Sequence, residues 1–149
     1  MNSRDYLIQL LKDPRFAAEY FFHAAIAGDL TTLETAVKDI METRCYRVVE
    51  LTKLRVSPNA TEQPGSWDKY RLGDVSNNVS LPVDYRLTGI LLAPPRVGEN
   101  VRILRISRNG VVVPGAFTST TVVAVEDNMF TTRNSVYRMR QLNHEESLL

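Results

Sequence analysis

The chain has 149 residues, a net charge of +1 and a hydrophobic content of 44%, which suits one domain or a compact domain with a helical extension. No apolar run approaches the roughly 18 residues of a membrane span, and the N-terminal residues include acids where a signal peptide would be basic. The single cysteine, Cys45, excludes an internal disulfide framework and fits a reducing compartment. We therefore expect a cytoplasmic protein without membrane contact.

Charge is distributed unevenly along the chain. Residues 1–43 contain four basic and seven acidic residues, whereas residues 44–142 contain fourteen basic and eight acidic residues. From Arg86 onward all eight basic residues are arginines, whose planar guanidinium suits phosphate or carboxylate and is also common at protein interfaces. This pattern predicts a basic binding surface, with a simple solvated face as the alternative.

Apolar residues at helical spacing predict three short helices within residues 4–43. Asp13 followed by Pro14 predicts the start of the second helix, and Gly28 predicts its end. The run Thr31-Thr32-Leu33-Glu34 has the pattern of a capping box and predicts the start of the third helix. Helices this short are not stable alone. Their apolar faces must pack against each other, against the rest of the chain or against a second copy.

The second predicted helix is rich in aromatic residues, namely Phe16, Tyr20, Phe21 and Phe22. One helical hairpin cannot cover this much aromatic surface, and exposed apolar patches of this kind mark interaction sites. We therefore predict that these residues form an interface with a second copy or with a partner.

The segment DPRFAAEYFFHAAIAGD, residues 13–29, resembles the leader of the addiction-module antidote (antitoxin) family. In that family the leader precedes a helix-turn-helix that binds operator DNA. After Arg44 the present chain continues with a β-rich segment in place of a further helix pair. The resemblance therefore implies a helical packing or docking unit, and the DNA-reading role is not carried over.

Residues 44–56 have the β-branched and aromatic content of a strand, with an extension of the third helix as the alternative. Residues 57–66 are rich in Pro, Gly, Asn and Ser and predict a flexible loop, and Trp67 is expected in a core. Strands separated by turns then follow. Asn109-Gly110 is typical of a two-residue hairpin, and Pro114-Gly115 and Glu126-Asp127-Asn128 predict two further turns.

Several short strands separated by turns favour a closed barrel, because closure removes unpaired strand edges. We predict an α+β protein with a unit of short helices over residues 1–43. A small antiparallel β-barrel, SH3-like or OB-like, is expected over residues 44–142, and an acidic tail over residues 143–149.

Residues 81–140 carry the pattern LPVDY…TGxL…PPxVG…RxxRNGV…GxFxST…FxTxNSxY. This pattern is similar to a family of short uncharacterised β proteins from bacteriophages and mobile elements. The resemblance implies a compact β fold of mobile-element origin and supplies no activity. Together with the antitoxin-like leader, it suggests a small regulator or a counter-defence protein.

Polar residues suited to binding gather at two predicted turns and the strands beside them. Tight turns of a small barrel can meet on one rim, where Arg, Asn and Tyr would contact phosphates or stack on bases. The predicted rim residues are Arg105, Arg108, Asn109, Arg133, Asn134 and Tyr137. The alternative is structural, because both asparagines are residues that tight turns favour.

No catalytic residue, cofactor or metal site is predicted. His23 and His144 do not stand at a ligand spacing with Cys45. The predicted barrel offers no histidine as a base for its serines and threonines, and the sequence contains no glycine-rich phosphate loop.

The leading hypothesis is therefore a non-catalytic interaction protein of phage or mobile-element origin. It would bind and inhibit or modulate a host protein or nucleoprotein machine, as anti-CRISPR proteins do. One alternative is an antitoxin-like regulator that binds nucleic acid, and another is a sponge that sequesters a nucleotide signal. The aromatic second helix predicts a homo-oligomer.

Overall fold

The computed structural model describes residues 2–56 and 85–143. Three helices come first: α1 (Ser3–Leu11), α2 (Pro14–Ile26) and α3 (Leu30–Glu42). The strands are β1 (Arg47–Val56), β2 (Arg86–Leu91), β3 (Asn100–Arg108), β4 (Val111–Glu126), β5 (Met129–Thr132) and β6 (Ser135–Gln141). The predictions for the loop at 57–66, for Trp67 and for residues 144–149 concern residues outside the described ranges. None of the described helices is long and apolar enough to cross a bilayer.

The predicted start and end of α2 are confirmed. The Asp13 side chain accepts a hydrogen bond of 2.9 Å from the backbone N–H of Arg15, which satisfies a helix N-terminal donor. Pro14 occupies the first helical position. Gly28, just beyond the helix, has φ of +73°, a conformation that glycine adopts without steric cost.

The predicted start of α3 is wrong by a few residues. The N-cap is Asp29, whose carboxylate accepts hydrogen bonds from the backbone N–H groups of Thr31 and Thr32 and from the Thr32 hydroxyl. An aspartate accepts several such bonds at once and is a stronger cap than threonine. The threonines therefore lie inside the first turn of the helix.

The strands close into an antiparallel barrel, which confirms the predicted α+β fold with a small barrel. Each strand pairs with the next in sequence, and β1 pairs on its other side with β6, for example at Leu51 with Met139. The strand order is sequential from β1 to β6. This order differs from the Greek-key order of the OB fold, one of the two barrel types that the sequence suggested.

The predicted turn at Pro114-Gly115 is wrong, because β4 runs without interruption through both residues. The pairing of β3 with β4 shifts register between Arg105 and Ser107, which is the mark of a β-bulge. A bulge accommodates a proline that cannot donate to the ladder. The other two predicted turns are confirmed, with Asn109 at φ +50° and Asp127 at φ +45°.

The middle parts of strands β1, β2 and β3 are buried on both faces. Residues pointing into the barrel, such as Leu51 and Ile103, pack with Phe117 and Phe130 in one apolar cluster. Their outward neighbours form a second cluster with the helices, whose members include Leu11, Phe21, Ile40, Val48, Ile90, Leu104 and Ile106. The helices therefore cover one side of the barrel and share a core with it.

One hydrogen bond marks the junction between helices and barrel. The hydroxyl of Tyr46, just before β1, donates to the backbone carbonyl of Leu11 at the end of α1 over 2.8 Å. Near the other end of the barrel sequence, the N–H of Leu142 bonds to the carbonyl of Val48 at 2.9 Å. The start of β1 is thus bonded both to the end of α1 and to the residue that follows β6.

Candidate functional site

Polar side chains converge inside the barrel at the end where β3 finishes and where β2 and β6 begin. The antiparallel register brings these three strand ends together, since Arg108 pairs with Leu87 of β2 and Ser135 pairs with the end of β1. We call the set of inward residues at this end the mouth cluster. Its members are Tyr85, Arg105, Arg108, Ser135 and Tyr137.

Arg105 is an arginine within the interior of the barrel, with 4% of its surface exposed. Its neighbours Leu104 and Ile106 face the helices, so the alternation of the strand turns Arg105 inward. Its Nε donates a 2.8 Å hydrogen bond to the carbonyl oxygen of Val113. Because this carbonyl lies in the bulged segment of β4, where Val113 and Pro114 oppose the single residue Ile106, the guanidinium is held in a defined position.

The space for the Arg105 guanidinium comes from a glycine on the paired strand. Gly115 lies opposite Arg105 in the β3–β4 ladder. A Cβ at this position would lie 2.5 Å from Nη2 and 3.1 Å from Cζ of Arg105, closer than van der Waals contact allows. The absence of a side chain at Gly115 is therefore what admits the arginine.

Tyr137 combines a packed ring with a polar tip. Its ring stacks on Phe130 with centroids 5.1 Å apart and meets Phe117 edge to face at 5.9 Å. These rings fix its orientation. Ser135 stands two residues earlier on β6, and strand alternation places it on the same inner face. Both residues are 1% exposed.

Within residues 2–56 and 85–143, no partner meets strict hydrogen-bond geometry at three buried hydroxyl groups of the mouth cluster, those of Tyr85, Ser135 and Tyr137. Arg105 and Arg108 lie close enough to the Tyr85 hydroxyl, and Ser135 to that of Tyr137, for looser hydrogen bonds. Buried polar atoms in folded proteins are nearly always paired, because an unpaired one costs about 1–3 kcal/mol. The three hydroxyls therefore form a buried polar group whose internal hydrogen bonds are far from ideal geometry.

The surroundings of the two tyrosine hydroxyls shift their pKa values. Burial raises the pKa of Tyr137, the neighbouring Ser135 hydroxyl opposes this effect, and Tyr85 adds to it. Burial also raises the pKa of Tyr85, against the smaller lowering effect of Arg105 and Arg108. Both phenols stay protonated at neutral pH, so each can donate a hydrogen bond to a ligand.

Lys53 adds a further cation to this end of the barrel interior. It is fully buried, pairs with Tyr137 across the β1–β6 ladder, and its backbone N–H donates to the carbonyl of Tyr85 at 3.0 Å. Three basic residues, Lys53, Arg105 and Arg108, therefore belong to the same end as the three hydroxyls.

The structure brings together three of the predicted rim residues, Arg105, Arg108 and Tyr137, although in the interior of the barrel end. Asn109 has a structural role. Its Oδ1 accepts from the N–H of Arg86 at 3.0 Å, and its own N–H donates to the Arg86 carbonyl at 2.9 Å. This side chain thereby links the β3–β4 hairpin to the start of β2.

Arg133 and Asn134 directly precede Ser135 but line a surface groove that contains no residue of the mouth cluster. They line a surface groove of about 680 Å³ together with Asn100 and Thr121, on a different part of the barrel from the groove at Asn109. The backbone N–H groups of Asn134 and Ser135 both donate to the Thr132 hydroxyl, at 3.3 and 3.1 Å. The turn is thus closed by a threonine side chain.

The aromatic residues of α2 divide into two groups. Phe21 is fully buried in the core between helices and barrel, so in this fold its side chain is not accessible to a second copy. Phe16, Tyr20 and Phe22 are half-buried and pack at the margin of the same core. The Tyr20 hydroxyl donates to Asp39 at 2.6 Å, which also accepts from Arg4 at 2.9 Å.

Sequence reasoning missed Tyr85, Ser135 and Lys53. The signal for Tyr85 and Lys53 is alternation, because each lies two residues from an inward leucine, Leu87 and Leu51 respectively. Ser135 gives no signal of its own, since serine is expected beside a turn.

Within residues 2–56 and 85–143, no three side chains of His, Cys, Asp or Glu are placed to hold a metal ion. Comparison of the chain with family models, with curated proteins and with solved structures returns no match. The resemblances to antitoxin leaders and to mobile-element β proteins therefore stay predictions, and the argument for function depends on the mouth cluster itself.

Proposed function

We propose that this chain is a non-catalytic binding protein that recognises an anionic group at the mouth cluster of its barrel. The observation that carries the proposal is the set of buried hydroxyls on Tyr85, Ser135 and Tyr137, none of which has a hydrogen bond of good geometry among the described residues, beside the guanidinium groups of Arg105 and Arg108. Hydroxyl and guanidinium groups are both hydrogen-bond donors, and together they suit an anion with several acceptor oxygens.

The chemistry of the cluster favours binding over catalysis. A phenol whose pKa is raised by burial does not serve as a base at neutral pH. Arginine stays protonated and cannot exchange a proton with a substrate. With no proton acceptor among its members, the cluster is suited to hold an anion without transforming it.

The wider setting follows from the sequence. We infer a cytoplasmic protein of phage or mobile-element origin that modulates a host protein or nucleoprotein complex, because the resemblance of residues 81–140 points to mobile elements and because Cys45 is a free, exposed thiol. Self-association through α2 remains part of this proposal. It is supported by the half-buried Phe16 and Phe22 and by Ile26, which is 83% exposed at the end of the helix.

Calorimetric titration of the full chain with inorganic phosphate tests the anion site. We expect saturable binding that weakens as sodium chloride is raised, because screening reduces charge attraction. Arg108→Ala should weaken binding about tenfold or more, since hydrogen bonds to charged groups are worth about 1.5–3 kcal/mol.

The matched control is Arg102→Ala. Arg102 lies on the same strand but is exposed on its outer face, so its loss should leave phosphate affinity unchanged. Equal losses in the two variants would mean that the net charge of the barrel, and no specific site, attracts the anion. Absence of any phosphate binding at low salt would refute the proposal.

A second candidate function is docking of a host protein on the exposed valines of β4. Four valines of this strand are exposed by 41–60%: Val111, Val112, Val123 and Val125. Affinity capture from a nuclease-treated bacterial lysate should then retain a protein that Val123→Asp/Val125→Asp releases and that Arg108→Ala does not. Release by Arg108→Ala alone would assign the contact to the mouth cluster.

A further inference from the structure

A mostly apolar groove lies between α2 and α3, close to the loop that joins them. Its volume is about 380 Å³, and no acidic residue lines it. The buried side chains of Ala24 and Ala36 contribute to the groove, and because alanine is small, they leave room for the side chain of another molecule. The other lining residues are Tyr20, His23, Thr31, Thr32 and Thr35.

The loop between the two helices presents apolar side chains of its own. Ile26, at the end of α2, is 83% exposed, and Leu30, at the start of α3, is 51% exposed. Single exposed apolar residues are common, but a pair beside an apolar groove is the kind of patch that marks an interaction site. His23 of the groove stands three residues before Ile26 on α2, a spacing that makes them neighbours on one side of the helix. The groove and the exposed pair therefore adjoin each other.

We propose that a second copy of this chain occupies the groove, with Ile26 and Leu30 of each copy docked between α2 and α3 of the other. This inference rests on the self-association included in the proposed function. It adds the surface through which the copies meet and the symmetry of their contact. It is independent of the mouth cluster.

Symmetry explains why one surface carries both features. In an isologous dimer, each surface patch meets the same patch on its partner, so a protrusion and a recess on one copy are both filled in a single interface. A different protein would need an apolar protrusion for the groove and a separate recess for Ile26 and Leu30. A second copy supplies both with the residues of α2, α3 and their loop.

Charge also favours a second copy. Among residues 26–30, Asp29 is the only acid, and His23 is the one residue lining the groove that can carry a positive charge. The Asp29 carboxylate accepts bonds from Thr31 and Thr32 of its own chain, and it retains acceptor capacity because a carboxylate has about four lone-pair sites. The exposed imidazole of His23 can donate to it in either protonation state. The one acid of the loop therefore meets the one basic group of the groove.

The size of the contact sets its expected strength. A five-residue loop and one groove, even counted twice, form an interface below the roughly 1,200–2,000 Å² of stable complexes. We therefore expect monomer and dimer in equilibrium, with a dissociation constant in the micromolar range.

Sedimentation equilibrium of the full chain over a concentration series tests this interface with three variants, each of which adds one negative charge at an exposed position. Ile26→Asp removes the docked side chain, and Thr35→Glu places a carboxylate in the groove. Both should weaken the dimer about a hundredfold, because burying an isoleucine is worth about tenfold or more and the contact occurs twice. The control is Val97→Asp, at a valine 65% exposed between β2 and β3, which should leave the dissociation constant unchanged.

A mixture of the two weakened variants tests the reciprocal contact directly. The Ile26→Asp chain keeps an intact groove, and the Thr35→Glu chain keeps Ile26, so a mixed pair regains one of the two contacts. We expect the mixture to dimerise about tenfold more tightly than either variant alone. A mixture that associates no more tightly than its components would overturn the inference.

The remaining outcomes separate this inference from the proposed function. Equal weakening by Ile26→Asp and Val97→Asp would mean that added negative charge opposes association, and the groove would be wrong. A dimer that persists in both groove variants would leave self-association in place and assign it to another surface, such as that of Phe16 and Phe22. A chain that is monomeric at every concentration would overturn self-association itself, whereas the anion site would still be decided by phosphate titration.

Discussion

The guanidinium of Arg105 occupies the space into which a side chain at Gly115 would project, 2.5 Å from the Cβ position to Nη2. The glycine lies in the middle of β4, where its lack of a side chain otherwise weakens a strand. Glycine is thus the residue type that leaves the space, and the Arg105 guanidinium is the group that fills it. This relationship can be tested directly.

Gly115→Ala should displace Arg105 and weaken phosphate binding severalfold while the barrel stays folded. The atom met by the new methyl group is the end of a long side chain, which can move, so overpacking should cost about 1–3 kcal/mol. Gly89→Ala is the contrasting variant, because its methyl group would meet the backbone of Leu104 and Arg105. That variant should lose about 3 kcal/mol or more. Urea denaturation and phosphate titration measure both effects, and equal destabilisation by the two variants would contradict this view of Arg105.

Phe21→Ala should destabilise the helices and the barrel together, by about 3–5 kcal/mol. Phe21 is fully buried in the core that both parts share, so its removal leaves a cavity between them. On denaturation, the helical circular dichroism signal and the near-ultraviolet signal of the tyrosines should disappear in one coincident transition. The control is Phe22→Ala, at the margin of this core, with a smaller cost. A barrel that keeps its signal after the helices have melted would show two independent units.

Asn109→Ala should lower stability by about 1–2 kcal/mol, because alanine disfavours the left-handed conformation and cannot accept from the Arg86 N–H. Asn109→Gly keeps the backbone preference and loses only the hydrogen bond, so it should cost less. Neither should change phosphate affinity. Loss of phosphate affinity in both variants would show that Asn109 takes part in binding, as the sequence predicted.

Stability should fall in strongly alkaline solution because of Tyr46 and Tyr20. Burial is the main cause that raises the pKa of each phenol from 10.0 to about 12. The protonated form is thus favoured in the folded state. Its stabilising contribution is complete below pH 10 and is lost as the pH rises through about 12. Urea denaturation between pH 8 and pH 12 should give a flatter profile for Tyr46→Phe and the flattest for the variant that also has Tyr20→Phe. A slope identical to that of the unmodified chain would contradict the assignment.

The sequence was sufficient for the elements whose signals are local. Asp13-Pro14, Gly28 and Asn109-Gly110 each specify a backbone conformation by their own chemistry, and the corresponding helix start, helix end and hairpin are where they were predicted. Pro114-Gly115 misled the prediction because its role depends on Arg105 of the paired strand. No local pattern reports a bulge opposite an arginine that lies nine residues upstream in the chain.

The candidate site was predicted in part for a similar reason. Arginine and tyrosine residue types drew attention to Arg105, Arg108 and Tyr137, but their side chains were expected at a rim. Which face of a strand points inward depends on what covers the outer face, and the helices cover β3 through Leu104 and Ile106. Only that packing reveals that Arg105 lies inside and that Ser135 and Tyr85 join it.

Burial on both faces of β3 also affects how this protein can diverge. Along Ile103, Leu104, Arg105 and Ile106, each position faces either the barrel interior or the helices, so random replacement at any of them meets a packed neighbour. Several positions of β4, such as Val123 and Val125, are exposed to solvent. In related sequences, substitutions should therefore accumulate at the exposed positions of β4 and be rare at all four positions from Ile103 to Ile106. An ordinary surface strand would instead tolerate substitution at every second residue.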